Sequence, residues 1–391
     1  MSATSHITTP LLDRGADLDT VKRRFWAREV ETAGWCFTAT GSRFHIHASP
    51  GAARTPEEKI ADAGTVHRLT GTAPEMAINT LVDLVQSTPA DLYAAAEEAG
   101  VRIGSLCPNL SRDNRFRFGS LTHHDAQIRA NARDLVTECL DHADLLGATA
   151  LSLWLPDGLH YPGQADTLER FGRLEEELSQ IAPQVPETMQ FLLEYKFFEP
   201  GCWYTDVADW GTALLLAEAA GDNCTVLVDF GHHPRGTNIP SILSLLMKRG
   251  RLGALHVNDR LHADDDLTLG SINPFMTFLC FAEIARRKGG EDVRFGFDQH
   301  HTTKSPLLAT VQSVARVQEL WLKALLIDTD ALAAAQASHD TDAAEETLQT
   351  AFWTDVRPLL AEWRRERGLP GDPVAALRDS GILAENENRR T

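Results

Sequence analysis

The sequence predicts an α/β fold, namely a (β/α)8 TIM barrel with a C-terminal helical extension. Eight short apolar segments of β-like composition recur over about 330 residues, and a helical pattern follows each one. The segments are continuous apolar runs, as expected of parallel strands buried on both faces. The fifth to the eighth also end in side chains that bind metals, at the end of the barrel where such folds carry their active sites.

The predicted elements alternate from the N-terminus onward. An amphipathic helix lies within residues 1–34, and the first strand is predicted at 34–40. The helix after it begins at Thr55-Pro56, a cap followed by proline at the first helical position. The other seven strands are predicted at EMAINTLV (75–82), VRIGSLCP (101–108) and ATALSLWL (148–155), and in segments ending at Lys196, at Asp229, at Asn258 and near His300.

The same alternation separates the barrel from other α/β folds. A doubly wound sheet is expected to carry a glycine-rich phosphate loop after its first strand, and GSRFHIH is a poor match to one. We therefore predict a barrel with an N-terminal helix over residues 1–330. Residues 331–391 contain helical segments with turns between them, and we predict a helical extension there.

Composition narrows the range of functions. The 391 residues carry a formal net charge of −18, which disfavours nucleic acid as the partner because phosphate backbones are repelled. The six cysteines show no CxxC spacing, which is typical of reduced thiols. No targeting segment is recognisable, and no apolar run reaches the ~20 residues needed to cross a bilayer. We expect a cytoplasmic protein without a membrane partner.

A first metal site is predicted at the ends of strands five to eight. Glu194 and Lys196 are two residues apart, so both side chains point to the same face of a strand. The neighbouring strands bring Asp229, His256 and Asp298 to equivalent depth. Three carboxylates clustered without a cation would repel one another, and a divalent ion resolves that conflict.

A second site is predicted beside the first. His232 leaves the end of strand six three residues after Asp229, and Asp264 and Asp266 lie in the loop after strand seven. An acidic loop alone is usually solvated surface, but this one directly follows the strand after Asp-x-x-His. Mixed oxygen and imidazole ligands suit Mn²⁺, Co²⁺ or Mg²⁺, with Zn²⁺ as a further alternative.

The remaining candidates have two interpretations each. Trp154 ends strand four and is either an aromatic wall for a substrate or a core or rim residue. His233, His300 and His301 lie near the predicted site, either as outer contacts of it or as surface groups. His45 and His47 follow strand one, where they either line the mouth or serve no function.

Several motifs in this order resemble the sugar isomerases of the xylose-isomerase-like barrel superfamily, and among these the smaller type of bacterial L-rhamnose isomerase. The resemblance covers most of the chain, and its specific part is the succession Glu-x-Lys, Asp-x-x-His, His and Asp-x-Asp. The stretches that carry it are SRF…PGAAR…EK…DA…VH.LTG (42–71), LSLWLPDG…YPGQ (151–164), LLEYKFFEP (192–200), VLVDFGHHPRGTNI (226–239) and LHVNDR…DDDLTLGSI (255–272).

The resemblance implies two divalent ions per subunit, with Mn²⁺ as the first choice, and a homo-oligomer that is a tetramer or a dimer. It assigns Lys196 to the substrate's O1 and Trp154 to packing against the sugar. It implies a structural ion held by Glu194, Asp229, His256 and Asp298, and a catalytic ion or its water held by His232, Asp264 and Asp266.

One position departs from the family pattern. The family carries a histidine at the end of strand two, where it is thought to assist ring opening or to orient the substrate. The aligned stretch here is INTLVD, which places Asn79 at this position. Asparagine donates hydrogen bonds but does not shuttle protons near neutral pH. The identity of the aldose and ketose is therefore left open, with L-rhamnose as one candidate.

The expected activity is aldose–ketose isomerisation of a free sugar by a two-metal hydride shift between C1 and C2. Lys196 would stabilise developing charge, and Asp264 or Asp298 would assist the hydroxyl proton transfer. Two alternatives are a ketose 3-epimerase on the same barrel and a non-catalytic sugar-binding barrel. Lys196 favours a catalyst, because a purely structural metal site has no use for a buried cation. A metal-dependent nuclease is disfavoured by the charge.

Overall fold

Parallel strands form a closed barrel in the computed structural model, which describes residues 4–5, 7–8, 17–42, 44–199 and 201–390. Each strand pairs with its neighbours in the chain, and the first also pairs with the last. The predicted (β/α)8 TIM barrel is therefore confirmed. The strands are β1 Glu31–Ala33, β2 Glu75–Asn79, β3 Arg102–Cys107, β4 Ala150–Trp154, β5 Gln190–Glu194, β6 Cys224–Asp229, β7 Leu252–His256 and β8 Arg294–Gly296.

Helices follow every strand. The helix predicted after strand one begins as its sequence indicates, because Thr55 accepts a hydrogen bond from the Glu58 amide and Pro56 occupies the first turn. Those preceding and surrounding the barrel are α1 Leu18–Trp26, α2 Pro56–Thr70, α3 Thr80–Gln86, α4 Pro89–Ala99, α5 Ala126–Glu138, α6 Ala143–Leu146, α7 Thr167–Ile181, α8 Trp210–Ala220, α9 Ile239–Lys248, α10 Pro274–Ala285 and α11 Pro306–Leu325. Among the described residues, no helix is both long and apolar enough to cross a membrane.

Additional helices follow the barrel and pack on it. They contact α11 and α2, and buried polar contacts fix them there: Lys323 donates to the Phe352 carbonyl, and Arg390 pairs with Asp62 at 2.6 Å. Helices after the barrel are thus present, while the division of the chain at residue 330 stays a prediction. They are α12 Thr329–Ser338, α13 Thr341–Trp353, α14 Arg357–Glu366, α15 Pro373–Asp379 and α16 Ile382–Arg389.

Some predicted boundaries were wrong. The first strand is Glu31–Ala33 rather than 34–40, and Gly34–Phe37 forms a 3₁₀ turn. The error arose because this strand begins with a charged residue, Glu31, which interrupts the apolar pattern. Strand two ends at Asn79, where α3 begins, rather than at residue 82.

Side-chain alternation inside the barrel positions the site. Four small or aliphatic side chains form a buried cluster of their own, separate from the core between sheet and helices. Successive strand residues face opposite sides, so residues two positions further along each strand share that face. The cluster consists of Ala150, Leu192, Leu227 and Ala254. The residues two positions after them, which face the same side, are Ser152, Glu194, Asp229 and His256.

A buried polar network holds the loops above strands three to five. Arg170 pairs with Asp206 at 2.6 Å, and Asp157 accepts hydrogen bonds from the backbone and hydroxyl of both Ser120 and Thr122. The segment around Asp206 is also hydrogen-bonded to the residues after β5, because the Lys196 amide donates to the Val207 carbonyl at 3.0 Å. The network therefore fixes the backbone from which the Lys196 side chain projects.

We expect Arg170→Met to destabilise the protein strongly, because it leaves the buried Asp206 carboxylate without its cation. Breaking a buried pair in this way costs about 3–5 kcal/mol. Arg249→Met is the matched control, since Arg249 pairs with Glu218 at an exposed position and should cost under about 1 kcal/mol. Denaturant unfolding monitored by circular dichroism measures both values, and equal losses would contradict the structural role of the network.

Candidate metal centre and active site

A cavity of about 360 Å³ lies at the mouth of the barrel. The predicted site residues line this cavity with one exception: Asp229 is completely buried and does not line the cavity. The lining residues are Trp35, Asn79, Cys107, Pro108, Asn109, Ser152, Trp154, Glu194, Lys196, His232, His256, Asp264, Asp266, Asp298 and His300.

Four side chains form a compact group of metal-binding donors. Glu194, Asp229, His232 and Asp298 each offer one ligand atom, and these atoms all lie within 4.8 Å of one another. Burial raises the pKa of Asp229 to about 6, and the Glu194 and Asp298 carboxylates add to this rise. Such a donor set fits a divalent ion, which would remove the repulsion that burial imposes on ionised carboxylates.

His256 contacts the same group from one side. Its Nδ1 lies 3.1 Å from Glu194 Oε1 and 3.8 Å from Asp229 Oδ2. Burial lowers the pKa of this imidazole, but Glu194, Asp298 and Asp229 outweigh burial and raise it to about 10. The sequence resemblance placed His256 in the first site, whereas the compact group contains His232. The assignment of these two histidines to individual ions stays a prediction.

A second group of donors shares Asp298 with the first. Asp266, Asp298 and His300 offer ligand atoms within 4.8 Å of one another. Burial, together with the charges of Asp298, Asp264 and Asp229, raises the pKa of Asp266 well above its usual value. The carboxylate of Asp264 is not part of this second group and lies 3.0 Å from His232 Nε2.

The loop that supplies Asp264 and Asp266 has an unusual backbone. Both residues have positive φ angles, 54° for Asp264 and 49° for Asp266, in the left-handed region that residues with side chains seldom adopt. The Asp264 amide donates to the Gly231 carbonyl at 3.0 Å, which ties the loop to the end of β6. Strain of this kind is common at functional sites, where the surrounding structure sustains it.

Lys196 is held among these groups by two carboxylates. Its Nζ lies 2.6 Å from Asp264 and 2.8 Å from Glu199, and 5.4 Å from the centre of the Trp154 ring. Burial lowers the pKa of Lys196, but the two carboxylates outweigh it and raise the pKa above its usual value. The ammonium group therefore stays charged inside the cavity.

Part of the cavity lining is uncharged. It contains Asn79, Asn109, Ser152 and Trp154. The Asn79 backbone amide donates to Asp83, and a buried ion pair with Lys59 holds Asp83 in turn. Asn79 Oδ1 is buried and has no hydrogen-bond partner among the described residues. Neutral donors and acceptors beside an indole ring can bind hydroxyl groups of a small polar ligand.

Sequence reasoning missed several contacts. The Trp35 indole donates to Asp298 Oδ1 at 2.7 Å, and Asn258 Nδ2 donates to both oxygens of Asp229 at 3.0 and 3.1 Å. Trp35 was hidden by the misplaced first strand, which assigned it to the sheet rather than to the mouth. Asn258 follows His256 by two residues, and that alternation was a usable signal. Glu199, which pairs with Lys196, lies in a loop without a periodic pattern.

Comparison with known proteins shows which family the chain belongs to. Residues 61–302 match the family model described as xylose isomerase-like TIM barrel. The chain belongs to the xylose isomerase-like TIM barrel family. Among curated relatives it is 35% identical over 386 residues to a probable sugar isomerase of Rhizobium meliloti, covering 96% of this chain and 89% of the relative. It is 34% identical over 381 residues to a probable sugar isomerase of Mesorhizobium japonicum, covering 95% and 88%.

Solved structures share the fold of this xylose isomerase-like barrel. An L-ribulose 3-epimerase superposes with a TM-score of 0.58 at 12% identity, covering 76% of this chain and 95% of the other. A D-allulose 3-epimerase from Methylomonas superposes with a TM-score of 0.53 at 18% identity, covering 76% and 92%. At such low identity these structures support the architecture only. The relationship to sugar isomerases, expected from the sequence motifs, is confirmed by the family model and the curated relatives.

Proposed function

We propose that this protein is a metal-dependent aldose–ketose isomerase that acts on a free sugar. The observation that carries the proposal is Lys196, a cation whose side chain is 11% exposed and which lies in the same cavity as the compact group of metal-binding donors. A barrel that used metal only for stability would have no need of this cation. The sugar isomerase relatives support the same class of reaction.

The ion-binding residues would be Glu194, Asp229, Asp298 and either His232 or His256, with Asp266 and His300 available to a second ion. A divalent ion, Mn²⁺ first among the candidates, would act as a Lewis acid toward the carbonyl and hydroxyl oxygens of the sugar.

The chain's own residues would bind and polarise the reacting end of the sugar. Lys196 would donate a hydrogen bond to O1 and stabilise negative charge that develops there. Asp264 accepts from Lys196 and lies beside His232, so its carboxylate is placed to receive the O2 hydroxyl proton and return it at O1. Asp298, oriented by the Trp35 indole, is the second carboxylate available for that transfer.

The lining of the cavity favours a sugar without phosphate. Lys196 is the only lysine or arginine among the described lining residues, and two carboxylates already engage it. Phosphate recognition normally uses arginine or lysine with free donors. The neutral wall at Asn79, Asn109 and Ser152 suits hydroxyl groups instead. L-Rhamnose is a candidate through the motif resemblance, and Asn79 directs attention to related aldoses as well.

An assay of free aldoses and ketoses with EDTA-stripped protein and added Mn²⁺, Co²⁺ or Mg²⁺ tests the proposal. We expect one aldose–ketose pair to interconvert only when metal is supplied. With deuterium at C2 of the aldose, a hydride shift predicts that the label is retained at C1 of the ketose. Extensive exchange of the label with water would contradict the hydride shift, and inversion at C3 alone would identify a ketose 3-epimerase.

We expect Lys196→Met to lower kcat by about 10²–10³-fold, because it removes a preorganised donor from the developing charge at O1. Metal content and melting temperature should be retained. Lys304→Met is the control, since Lys304 is an exposed lysine at the same end of the barrel that contacts Thr268 and Gln312. Steady-state kinetics on both variants measure the effect, and wild-type turnover in Lys196→Met would refute the assigned role.

Two expectations from the sequence remain predictions beside this proposal: a homo-oligomer that is a tetramer or a dimer, and a cytoplasmic location.

A further inference from the structure

Glu31 is a buried carboxylate inside the barrel that the proposed reaction does not use. It lies on β1 with 7% of its surface exposed. Its Oε2 accepts a hydrogen bond from Ser105 at 2.8 Å. Its Oε1 has no hydrogen-bond partner among the described residues, and the nearest cationic atom, Arg294 Nη2, is 3.5 Å away. A buried carboxylate oxygen without a partner is costly and calls for a physical reason.

The strand register places Glu31 level with His256. Gly296 on β8 is the register partner of Glu31 on one side and of His256 on the other. A Cβ added to Gly296 would lie 3.7 Å from Glu31 Oε2 and also 3.7 Å from His256 Nε2. Because glycine has no side chain, nothing from β8 separates the carboxylate from the imidazole.

The orientation of the His256 ring makes this placement significant. Nδ1 faces the metal-binding carboxylates, at 3.1 Å from Glu194, so Nε2 points to the opposite side, toward Gly296 and Glu31. A neutral imidazole that offers the Nδ1 lone pair to an ion must carry its proton on Nε2. That proton needs an acceptor, and in metal sites the acceptor is commonly a carboxylate.

We infer that Glu31 is a positioning residue for His256, accepting the Nε2 proton through one water and so directing the Nδ1 lone pair at the ion. The inference rests on the proposed function in one respect, namely that His256 binds the divalent ion. It adds a residue on β1, on the side of the imidazole that faces away from the metal-binding carboxylates. Glu31 acts through His256 and does not touch the substrate.

If Glu31 had only a structural role, replacing it would affect stability without a specific effect on metal binding. Glu31 also contacts Ser105 and lies near Arg294, so its loss would disturb a polar cluster inside the barrel. Glu75 belongs to the same cluster, bonding Arg294 at 2.9 Å and Arg102 at 3.0 Å from the adjacent strand β2. Among the described residues Glu75 makes no hydrogen bond or ion pair with His256, which makes Glu75 the control.

The test is the Mn²⁺ affinity of the full-length, EDTA-stripped protein, measured by titration calorimetry. We expect Glu31→Met to raise the Kd by about 10–100-fold, the usual effect of removing the hydrogen-bond partner of a ligating histidine. Glu75→Gln should leave the Kd close to the wild-type value. A folded Glu31→Met variant with wild-type affinity would overturn the inference and leave the proposed function standing. Absence of Mn²⁺ binding by the wild-type protein would overturn both.

A second measurement decides the matter if Glu31→Met does not fold. Glu31→Gln is nearly the same size and keeps an acceptor oxygen without the charge. In protein with ¹⁵N-labelled histidine and bound Zn²⁺, which is diamagnetic, we expect the His256 Nε2 proton signal to move upfield in Glu31→Gln, because a neutral acceptor forms the weaker hydrogen bond. An unchanged signal, or a proton on Nδ1 in the wild-type protein, would overturn the inference.

Discussion

The convergence of carboxylates inside the barrel is the constraint on which the rest of the site depends. Glu194 and Asp229 end the adjacent strands β5 and β6, Asp298 follows β8, and Asp229 is completely buried. Burial raises the pKa of Asp229, and the nearby Glu194 and Asp298 carboxylates raise it further. Asn258 and Trp35 supply hydrogen bonds to this group, but neither carries a charge. A divalent cation would relieve the repulsion among these three carboxylates.

The other features of the mouth follow from this constraint. The loop after β7 adopts a strained backbone at Asp264 and Asp266, and this brings their carboxylates to the edge of the group. Asp264 in turn holds Lys196, whose backbone is clamped by the network that includes Arg170 and Asp206. The charged side chains of the cavity are therefore held by several contacts, and under the proposed function the uncharged side chains of Asn79 and Trp154 would distinguish sugars.

Much of this arrangement follows from sequence patterns because a barrel imposes simple rules. Alternation along β5, β6 and β7 places Glu194, Asp229 and His256 on the inner face, and parallel strands bring them to one end. Trp35 was not predictable in the same way, since a three-residue error in β1 changes which residues reach the mouth. Which of His232 and His256 binds the ion depends on side-chain rotation, which the sequence does not reveal. The pairing of Glu199 with Lys196 depends on the conformation of a loop, which residue spacing does not predict. The confirmed part is therefore the fold and the family, while residue roles rest on the geometry.

The most direct measurement is anomalous diffraction from crystals of this protein soaked in Mn²⁺. We predict a strong peak enclosed by Glu194, Asp229 and Asp298, with an imidazole nitrogen of His232 or His256 among its ligands. A second peak beside Asp266 and His300 would support two ions per subunit. A structure with Mn²⁺ bound elsewhere, or with these carboxylates paired only to protein groups at saturating Mn²⁺, would contradict the account.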